Sequence, residues 1–372
     1  MGREPAIAGT IGLARRRAPP WLAFPALLIL LAMSAIALAE PTKDRESGPA
    51  ANSEAFSTLR ATLREKYPSV RALVLARGAC VVFEYYRSGV TAGTRSPVYS
   101  VTKSVLSILV GIAIDKGSLR LDEKVSERLP EASEANVGPL VREITVRDLL
   151  TMTAGFAPSA DDADSKIGDP ASRTWRRLLD RPMRDPPGSR FAYDTADQNL
   201  LSIVLSRAIK QDAKRFARRN LFDPLHVENY DWTTDAEGHL IGATSLFLTA
   251  RDMAKIGVLY LRHGRWGDRQ IVSKAFVLDS TAKHSEGGPP SDAAYGYLWW
   301  IGKTRTGEDA FFAAGQNDQL VYVAPKLDLV VALAAESIPG GSVSLANDLV
   351  LPAAAQLPKS APCLARFAQG RP

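Results

Sequence analysis

The residue pair with the clearest chemical potential is Ser100 and Lys103, which stand three positions apart. On a helix, residues at this spacing share a face with Cβ atoms about 5–6 Å apart, so the lysine amine can reach the serine oxygen. Free N–H groups at a helix start favour negative charge there, and burial favours the neutral, proton-accepting form of an amine. A serine in this position can therefore act as a nucleophile whose proton passes to the lysine.

The same spacing has a simpler interpretation, and it occurs twice in the chain. A serine that caps a helix beside an unrelated lysine is the commoner arrangement. The second copy, Ser280 with Lys283, precedes a polar stretch with glycine and proline and begins no apolar helix. The first copy is followed directly by an apolar run over residues 105–114. We therefore expect the first serine, rather than the second, to be reactive.

A buried helix is expected to carry the first pair. Residues 105–114 are apolar on nearly every face, which is typical of a helix enclosed by the core. Gly117 ends the pattern, so the helix is predicted over residues 100–116. Its first turn would then surface where the core meets solvent.

Length and charge limit the class of protein. The chain has 372 residues and 46% apolar content, enough for a large core in one domain or two closely packed ones. The formal net charge is +6, and the four arginines and one glutamate of residues 1–39 supply +3 of it. No basic stripe interleaved with aromatic residues occurs, so nucleic acid is not an expected partner.

Residues 1–39 are interpreted as a secretory signal peptide. Three arginines at 15–17 precede an apolar stretch and a small-x-small cleavage site at 37–39. The alternative is an uncleaved membrane anchor, because the 19 residues of 21–39 are nearly long enough to span a bilayer. Residues 40–52 are charged and contain proline and glycine, which predicts a linker. The predicted location is periplasmic or secreted.

The cysteines and histidines do not indicate a metal site. The only cysteines, Cys80 and Cys363, could pair in an oxidising compartment, but the sequence gives no distance between them. The four histidines form no ligand cluster. Neither a metal nor another cofactor is therefore expected.

Strand patterns occur towards both ends of the chain around a mainly helical middle. This order predicts an α/β (α+β) fold with one antiparallel sheet built from both chain ends, flanked by helices. The predicted domain covers 53–358, with an α/β part at about 53–118 and 240–358, a helical insertion at about 119–239 and a tail at 359–372. Strands are predicted over 72–76, 80–86, 297–301, 309–313, 319–323 and 329–333, and helices over 144–150, 198–209, 249–263 and 344–356.

Four stretches match one family in order, at residues 99–104, 149–155, 249–254 and 295–300. Together they resemble the serine β-lactamase-like hydrolases, which include class C β-lactamases, D,D-peptidases, family VIII esterases and 6-aminohexanoate-dimer hydrolases. The resemblance covers roughly residues 55–350. It implies the β-lactamase/transpeptidase-like fold, with the active site between the α/β region and the helical region.

The second catalytic motif of that family is usually Tyr-x-Asn, and the similar stretch here begins at Tyr193 and has Thr195 in place of asparagine. The resemblance implies that the tyrosine is the general base in acylation and returns a proton to the leaving group, with the threonine beside the substrate. The alternative is a core tyrosine with a hydrogen-bonded hydroxyl. Asp194 and Asp197 are expected to cap a helix that begins near Gln198.

The third family motif, Lys- or His-x-Gly, aligns with Ala313-Ala314-Gly315 and so lacks its cation. The resemblance implies a substrate contact at Gly315 and an oxyanion hole from the backbone N–H groups of Ser100 and Gln316. In β-lactamases and D,D-peptidases the cation is expected to hold a substrate carboxylate. Its absence disfavours a dedicated β-lactamase.

These features predict an exported serine hydrolase that cleaves small esters or short linear amides through an acyl-enzyme. Ser100 would be the nucleophile, Lys103 its activating base and Tyr193 the proton relay. The alternatives are a β-lactamase or D,D-peptidase that acts on cell-wall-like peptides, and a non-catalytic binding protein on the same fold. The expected partner is a small-molecule ester or amide, with a membrane involved only if the N-terminal segment is uncleaved. The oligomeric state cannot be inferred.

Overall fold

The computed structural model describes residues 54–133, 138–157, 175–358 and 362–367. The predicted signal peptide and linker lie outside these ranges, as do residues 158–174 of the middle region and most of the predicted tail. In the ranges described, no helix combines the length and the apolar character needed to cross a bilayer.

The described residues contain one large antiparallel sheet of nine strands. Its order is β14-β2-β1-β13-β12-β11-β10-β9-β8, which confirms the predicted sheet built from both ends of the chain. The strands, numbered in chain order with those of two smaller sheets, are β1 (Val70–Arg77), β2 (Cys80–Tyr86), β3 (Arg95–Pro97), β4 (Asp231–Trp232), β5 (Leu246–Thr249), β6 (Arg265–Trp266), β7 (Arg269–Gln270), β8 (Ser285–Gly288), β9 (Ala293–Tyr295), β10 (Trp300–Lys303), β11 (Asp309–Gly315), β12 (Gln319–Ala324), β13 (Leu329–Ala335) and β14 (Ala365–Arg366).

The centre of the sheet is covered on both faces. Strands β12 and β13 are buried at every position, which explains their near-continuous apolar sequences. Gly257 lets the helix over residues 250–261 approach strand β13 closely, because a Cβ at this position would lie 2.4 Å from a methyl group of Val330. The helices are α1 (Glu54–Lys66), α2 (Val101–Asp115), α3 (Val125–Arg128), α4 (Val146–Leu150), α5 (Thr195–Ile209), α6 (Ala213–Ala217), α7 (Ala250–Leu261), α8 (Lys274–Ser280), α9 (Gly341–Leu345) and α10 (Leu351–Ala355).

Most predicted helices are present with shifted ends. Helix α2 begins and ends within one residue of the prediction. Thr249 and Thr145 are the N-caps of α7 and α4, because each hydroxyl accepts from a backbone N–H three residues on. The last predicted helix begins at Gly341 rather than at 344, and a π-helical turn, Ala346–Val350, joins its two parts. Helix α1 was not predicted.

The strand predicted over residues 297–301 is wrong at 297–299. Leu298 has φ of 60°, which a strand does not allow. Its N–H donates to the carbonyl of Leu150 at 3.0 Å, and its carbonyl accepts from the Ser104 hydroxyl. These residues therefore form a turn that is hydrogen-bonded to both α4 and α2, and strand β10 begins only at Trp300.

A small three-stranded sheet holds the N-terminal end of α2 in place. This sheet was not predicted from the sequence. Its order is β3-β5-β4, and its strands are too short to show a periodic pattern. Directly before α2, the N–H of Val98 donates to the carbonyl of Leu246 at 2.9 Å. The Thr102 hydroxyl accepts from the N–H of the same leucine at 3.4 Å. The first turn of α2 is thus held from one side by β5.

The sheet extends into the segment that was predicted to be a tail. Strand β14 pairs with β2 at the edge, with Ala365 opposite Val81. Cys80 and Cys363 form a disulfide with Cα atoms 5.3 Å apart, across 283 residues of sequence. The pairing that the sequence left open is therefore present. The bounds of the predicted helical insertion stay a prediction, and it contains the short strand β4.

Candidate active site

The hydroxyl of Ser100 accepts a hydrogen bond from Lys103 Nζ at 2.8 Å. Ser100 occupies the N-cap position of α2, with φ −68° and ψ −8°. Within the described residues its side chain caps no backbone N–H of the helix. The helix-capping interpretation of this serine therefore does not hold, and its oxygen is directed to the amine instead.

The residue before this serine has an unfavourable backbone conformation. Tyr99 has φ of 46°, a left-handed value that is uncommon for a large side chain. Two hydrogen bonds hold the turn, from Val101 N to Val98 O at 3.1 Å and from Thr102 N to Tyr99 O at 3.0 Å. Asn317 Nδ2 also donates to the Tyr99 hydroxyl at 3.3 Å. Backbone strain of this kind is found where a side chain is held for function.

Lys103 is almost completely buried, with 1% of its surface exposed. Besides the serine, its Nζ donates to the carbonyl oxygen of Ala243 at 3.0 Å. The same nitrogen lies 5.1 Å from the centroid of the Tyr193 ring. Among the described residues no carboxylate lies within ion-pair distance of this amine. The amine therefore lies between the Ser100 hydroxyl, to which it is hydrogen-bonded, and the face of the Tyr193 ring.

The second Ser-x-x-Lys copy has none of this geometry. Ser280 is fully buried in α8, and its hydroxyl donates to the carbonyl of Val277 at 2.9 Å. Lys283 instead forms an exposed ion pair with Glu286. The two side chains of this copy are thus engaged separately, which agrees with the expectation that Ser280 is not reactive.

Tyr193 lies in an aromatic cluster beside the serine. Its ring stacks on Trp300, with centroids 5.7 Å apart and planes at 15°. Tyr295 packs edge-on against both rings, at 6.4 Å and 4.6 Å. Burial raises the pKa of Tyr295 well above its usual value of 10, and the neighbouring Tyr193 phenol adds to the effect. Tyr295 is therefore neutral and buried behind Tyr193 and Trp300, and Tyr193 is the tyrosine among the described lining residues of the cleft.

The chain after Tyr193 is fixed by the start of α5. Asp194 caps this helix as predicted, because its Oδ1 accepts from Ala196 N at 2.7 Å. Arg181 pairs with the other oxygen of Asp194 and with Asp197 Oδ1 at 3.4 Å. The prediction that the helix begins near residue 198 and that Asp197 caps it is wrong, since α5 begins at Thr195 and Asp197 lies in its first turn.

Ser100 and Tyr193 line a cleft of about 520 Å³. Gly315, at the end of β11, brings this strand against the start of α2. A Cβ at Gly315 would lie 2.4 Å from Val98 O and 3.2 Å from Ser100 N, so a side chain there would push the two apart. The described lining residues are Ser100, Tyr193, Pro290, Ser291, Trp300, Phe312, Ala314, Gly315, Gln316, Asp318, Gly340, Gly341, Ser342 and Val343.

One predicted site residue is separated from this cleft. Thr195 is exposed on the first turn of α5 and does not belong to the described lining. It is the exposed residue of this turn, whereas the two residues that follow it, Ala196 and Asp197, are buried. Its predicted contact with substrate stays a prediction, without support from this geometry.

A wall of the cleft that the sequence did not predict depends on Asp318. Its two carboxylate oxygens accept from Ile338 N at 2.6 Å and from Ser342 N at 2.8 Å. These bonds hold residues 338–342, whose two glycines line the cleft. Because the contact joins two loops distant in sequence, no local pattern could have revealed it.

The sequence model of the family described as Beta-lactamase matches residues 53–355. The chain belongs to the beta-lactamase family. Membership confirms the resemblance seen in the sequence motifs, and it places the protein among serine hydrolases of the β-lactamase and penicillin-binding-protein type.

Three known proteins to which this chain is similar are a curated relative and two solved structures. A 6-aminohexanoate-dimer hydrolase of Paenarthrobacter ureafaciens is 25% identical over 334 residues, which cover 83% of each chain. The octameric penicillin-binding protein homologue from Pyrococcus abyssi has a TM-score of 0.65 at 19% identity, covering 82% of this chain and 78% of that one. A D-stereospecific amidohydrolase from Streptomyces sp. has a TM-score of 0.63 at 16% identity, covering 79% and 97%. The two structures confirm the β-lactamase/transpeptidase-like fold.

The described lining of the cleft carries little charge. No lysine, arginine or histidine occurs among the described lining residues. The only charged side chain of that lining is Asp318, and backbone N–H groups engage both of its oxygens. In the described ranges no group of three histidine, cysteine, aspartate or glutamate side chains could hold a metal ion. The described lining offers the Ser100 hydroxyl and the Tyr193 phenol, and the Lys103 amine is hydrogen-bonded to that serine.

Proposed function

We propose that this protein is a serine hydrolase that cleaves small esters or short linear amides through an acyl-enzyme on Ser100. The observation that carries the proposal is the 2.8 Å hydrogen bond between Lys103 Nζ and the Ser100 hydroxyl, at the edge of an open cleft. A nucleophilic serine needs a base within hydrogen-bond reach. Tyr193 completes the set, because it lies beside the same amine and lines the same cleft.

In the proposed acylation step, the serine oxygen attacks the substrate carbonyl carbon and forms a tetrahedral intermediate. The proton of Ser100 passes to the unit formed by Lys103 and Tyr193. When the intermediate collapses, this unit returns the proton to the leaving alcohol or amine, and the acyl group stays on the serine. Water then attacks the carbonyl carbon of the acyl-enzyme and gives a proton to the same unit. The unit returns a proton to the oxygen of Ser100 as the acyl–serine bond breaks, which releases the carboxylic acid and restores the free serine.

The backbone N–H groups of Ser100 and Gln316 are proposed to stabilise the oxyanion of the intermediate. Support comes from the close contact at Gly315, which brings the strand end next to Ser100 N. Gln316 lines the cleft directly after this glycine. Donors that are fixed before the reaction stabilise developing charge without reorganisation, and the loss of one such donor typically costs about 10²–10³-fold in rate.

The composition of the cleft supports uncharged substrates. The described lining offers aromatic surface from Trp300 and Phe312 and holds no cation for a substrate carboxylate. The relative named 6-aminohexanoate-dimer hydrolase supports linear amides as the second substrate class. Penicillin-binding proteins share the fold, so β-lactams and cell-wall-like peptides are the competing substrates.

A substrate panel tests this proposal. We expect purified protein to hydrolyse p-nitrophenyl esters of increasing acyl length, with slower cleavage of a short linear amide and little turnover of nitrocefin. Faster turnover of nitrocefin than of any ester would instead favour a β-lactamase. Folded protein that turns over no member of the panel would favour a binding role on the same fold.

We also propose that the protein is exported and that its mature chain begins at Glu40. The disulfide between Cys80 and Cys363 supports export, because such bonds persist in oxidising compartments. N-terminal sequencing of protein from the periplasmic or culture fraction should therefore read from this glutamate. Recovery of a chain that begins at Met1 in the membrane fraction would indicate an uncleaved anchor.

A further inference from the structure

A buried asparagine outside the sequence motifs contacts the residue that holds Lys103. Asn199 lies on α5, and only 5% of its surface is exposed. Its Oδ1 accepts a hydrogen bond from the backbone N–H of Ala243 at 3.2 Å. The carbonyl of the same alanine accepts from Lys103 Nζ at 3.0 Å. Ala243 thus connects Asn199 with Lys103, whose amine donates to Ser100.

The segment that contains Ala243 is tightly packed between two helices. A Cβ on the preceding residue, Gly242, would lie 2.5 Å from the carbonyl oxygen of Gln198 on α5 and 2.9 Å from a methyl carbon of Leu106 on α2. The segment therefore fits closely between the helix that carries Lys103 and the helix that follows Tyr193. In such packing, the hydrogen bond from Ala243 to Asn199 fixes how far the segment can slide.

Stability alone does not explain an asparagine at this position. Within the described residues, Asn199 Nδ2 is buried and has no hydrogen-bond partner. A buried donor without a partner is unfavourable for folding. On α5, Leu200 and Ile203 beside it are apolar and buried, while Gln198 and Ser202 are buried polar residues. Within the described residues, the one hydrogen bond of the Asn199 amide is directed at the backbone beside the active site.

We propose that Asn199 is a positioning residue for acylation, which holds the Ala243 carbonyl where it orients Lys103 towards Ser100. This inference rests on the proposed function, because it requires the lysine to act on the serine. A displacement of about 1 Å in a reacting group can cost on the order of 10²-fold in rate. Asn199 is absent from the described cleft lining, so its loss should lower the rate of acylation and leave substrate binding unchanged.

The test compares four proteins in a double-mutant cycle: the wild type, Asn199→Leu, Lys103→Met and the double variant. The rate at which a fluorophosphonate probe modifies the serine is used as the measure of the acylation step, because the same oxygen attacks the probe. The values of kcat and KM are measured with an activated ester. Circular dichroism gives the folded fraction of each protein, and all rates are expressed per folded molecule. We expect Asn199→Leu to lower the acylation rate and kcat by on the order of 10–10²-fold with KM within twofold. In the Lys103→Met background it should cause no further loss, because the group it positions is gone.

Ser202→Ala is the matched control on the same helix. Its hydroxyl is buried without a partner in the described residues, and its Cβ would be 2.8 Å from a Cβ at Gly242. We expect this variant to retain the wild-type rate to within twofold. Asn199→Ala serves beside Asn199→Leu, since it removes the same oxygen without adding volume, and it should show the same loss.

The outcomes separate the inference from the proposed function. Wild-type acylation in either folded Asn199 variant, or a loss that persists in full in the Lys103→Met background, would overturn the positioning role. Wild-type acylation in folded Lys103→Met would instead overturn the proposed function itself. If both Asn199 variants unfold under conditions where Ser202→Ala folds, the residue is structural and the inference is wrong.

Discussion

Ser100→Ala should lower the turnover of an activated ester by on the order of 10²–10⁴-fold or more, because it removes the only atom proposed to form the acyl bond. The folded structure should persist. The serine side chain forms no capping bond within the described residues, so its removal takes no hydrogen bond from the helix backbone. The measurement is kcat/KM on a p-nitrophenyl ester, with circular dichroism to establish that the variant is folded.

Ser280→Ala is the control for this substitution, since it removes the serine of the second Ser-x-x-Lys copy. Among the residues that the structure describes, that hydroxyl bonds only within its own helix and to the Tyr260 hydroxyl at 3.3 Å. We expect wild-type turnover in this variant. Turnover retained in Ser100→Ala, or lost equally in both variants, would contradict the assignment of Ser100 as nucleophile.

Lys103→Met and Tyr193→Phe should each lower kcat/KM by on the order of 10²–10⁴-fold, and the double variant should lose little more than either single one. The reason is that the amine and the phenol are proposed to move one proton as a unit. The two side chains are neighbours in the structure, with Lys103 Nζ 5.1 Å from the centroid of the tyrosine ring. Methionine keeps most of the buried volume of Lys103, so the loss reflects chemistry more than packing.

Thr195→Ala provides the comparison within the second motif, because its hydroxyl is exposed and lies outside the described lining of the cleft. Its expected loss is less than about tenfold, well below the range for acid–base groups. Folded Tyr193→Phe with turnover near that of the wild type would remove the tyrosine from the mechanism. Losses that multiply in the Lys103→Met/Tyr193→Phe variant would show that the two groups act separately.

The sequence predicted features that local patterns determine. Helix α2 was predicted to within a residue at each end, because a continuous apolar run and a terminal glycine mark it clearly. Strands β1, β2, β11, β12 and β13 were predicted as well, since buried strands are rich in valine, leucine and alanine. The contact between Ser100 and Lys103 follows from helical spacing alone.

Features that depend on distant contacts were missed. Leu298 belongs to an apolar stretch that is typical of a strand, but its backbone bonds to Leu150 and Ser104 impose a turn. The roles of Ala243 and Asp318 rest on backbone groups, which every residue type offers. The pairing of Cys80 with Cys363 required the position of β14, a two-residue strand without a periodic pattern.

Family membership and site chemistry support different levels of the functional conclusion. The family assigns a serine hydrolase, while the proposed preference for esters or amides rests on the described cleft lining, which holds no cation beside Gly315. Chemistry and specificity therefore need separate tests. The double-mutant cycles address the chemistry, and the substrate panel addresses the specificity.

The most direct test of the proposed mechanism is to identify the serine that becomes covalently modified. Purified wild-type protein is treated with a fluorophosphonate probe, digested and analysed by mass spectrometry. We expect one modified peptide, with the label on Ser100, and no labelling after denaturation or in Ser100→Ala. A label on Ser280 or another serine, or no label on folded protein that hydrolyses esters, would contradict the proposed nucleophile.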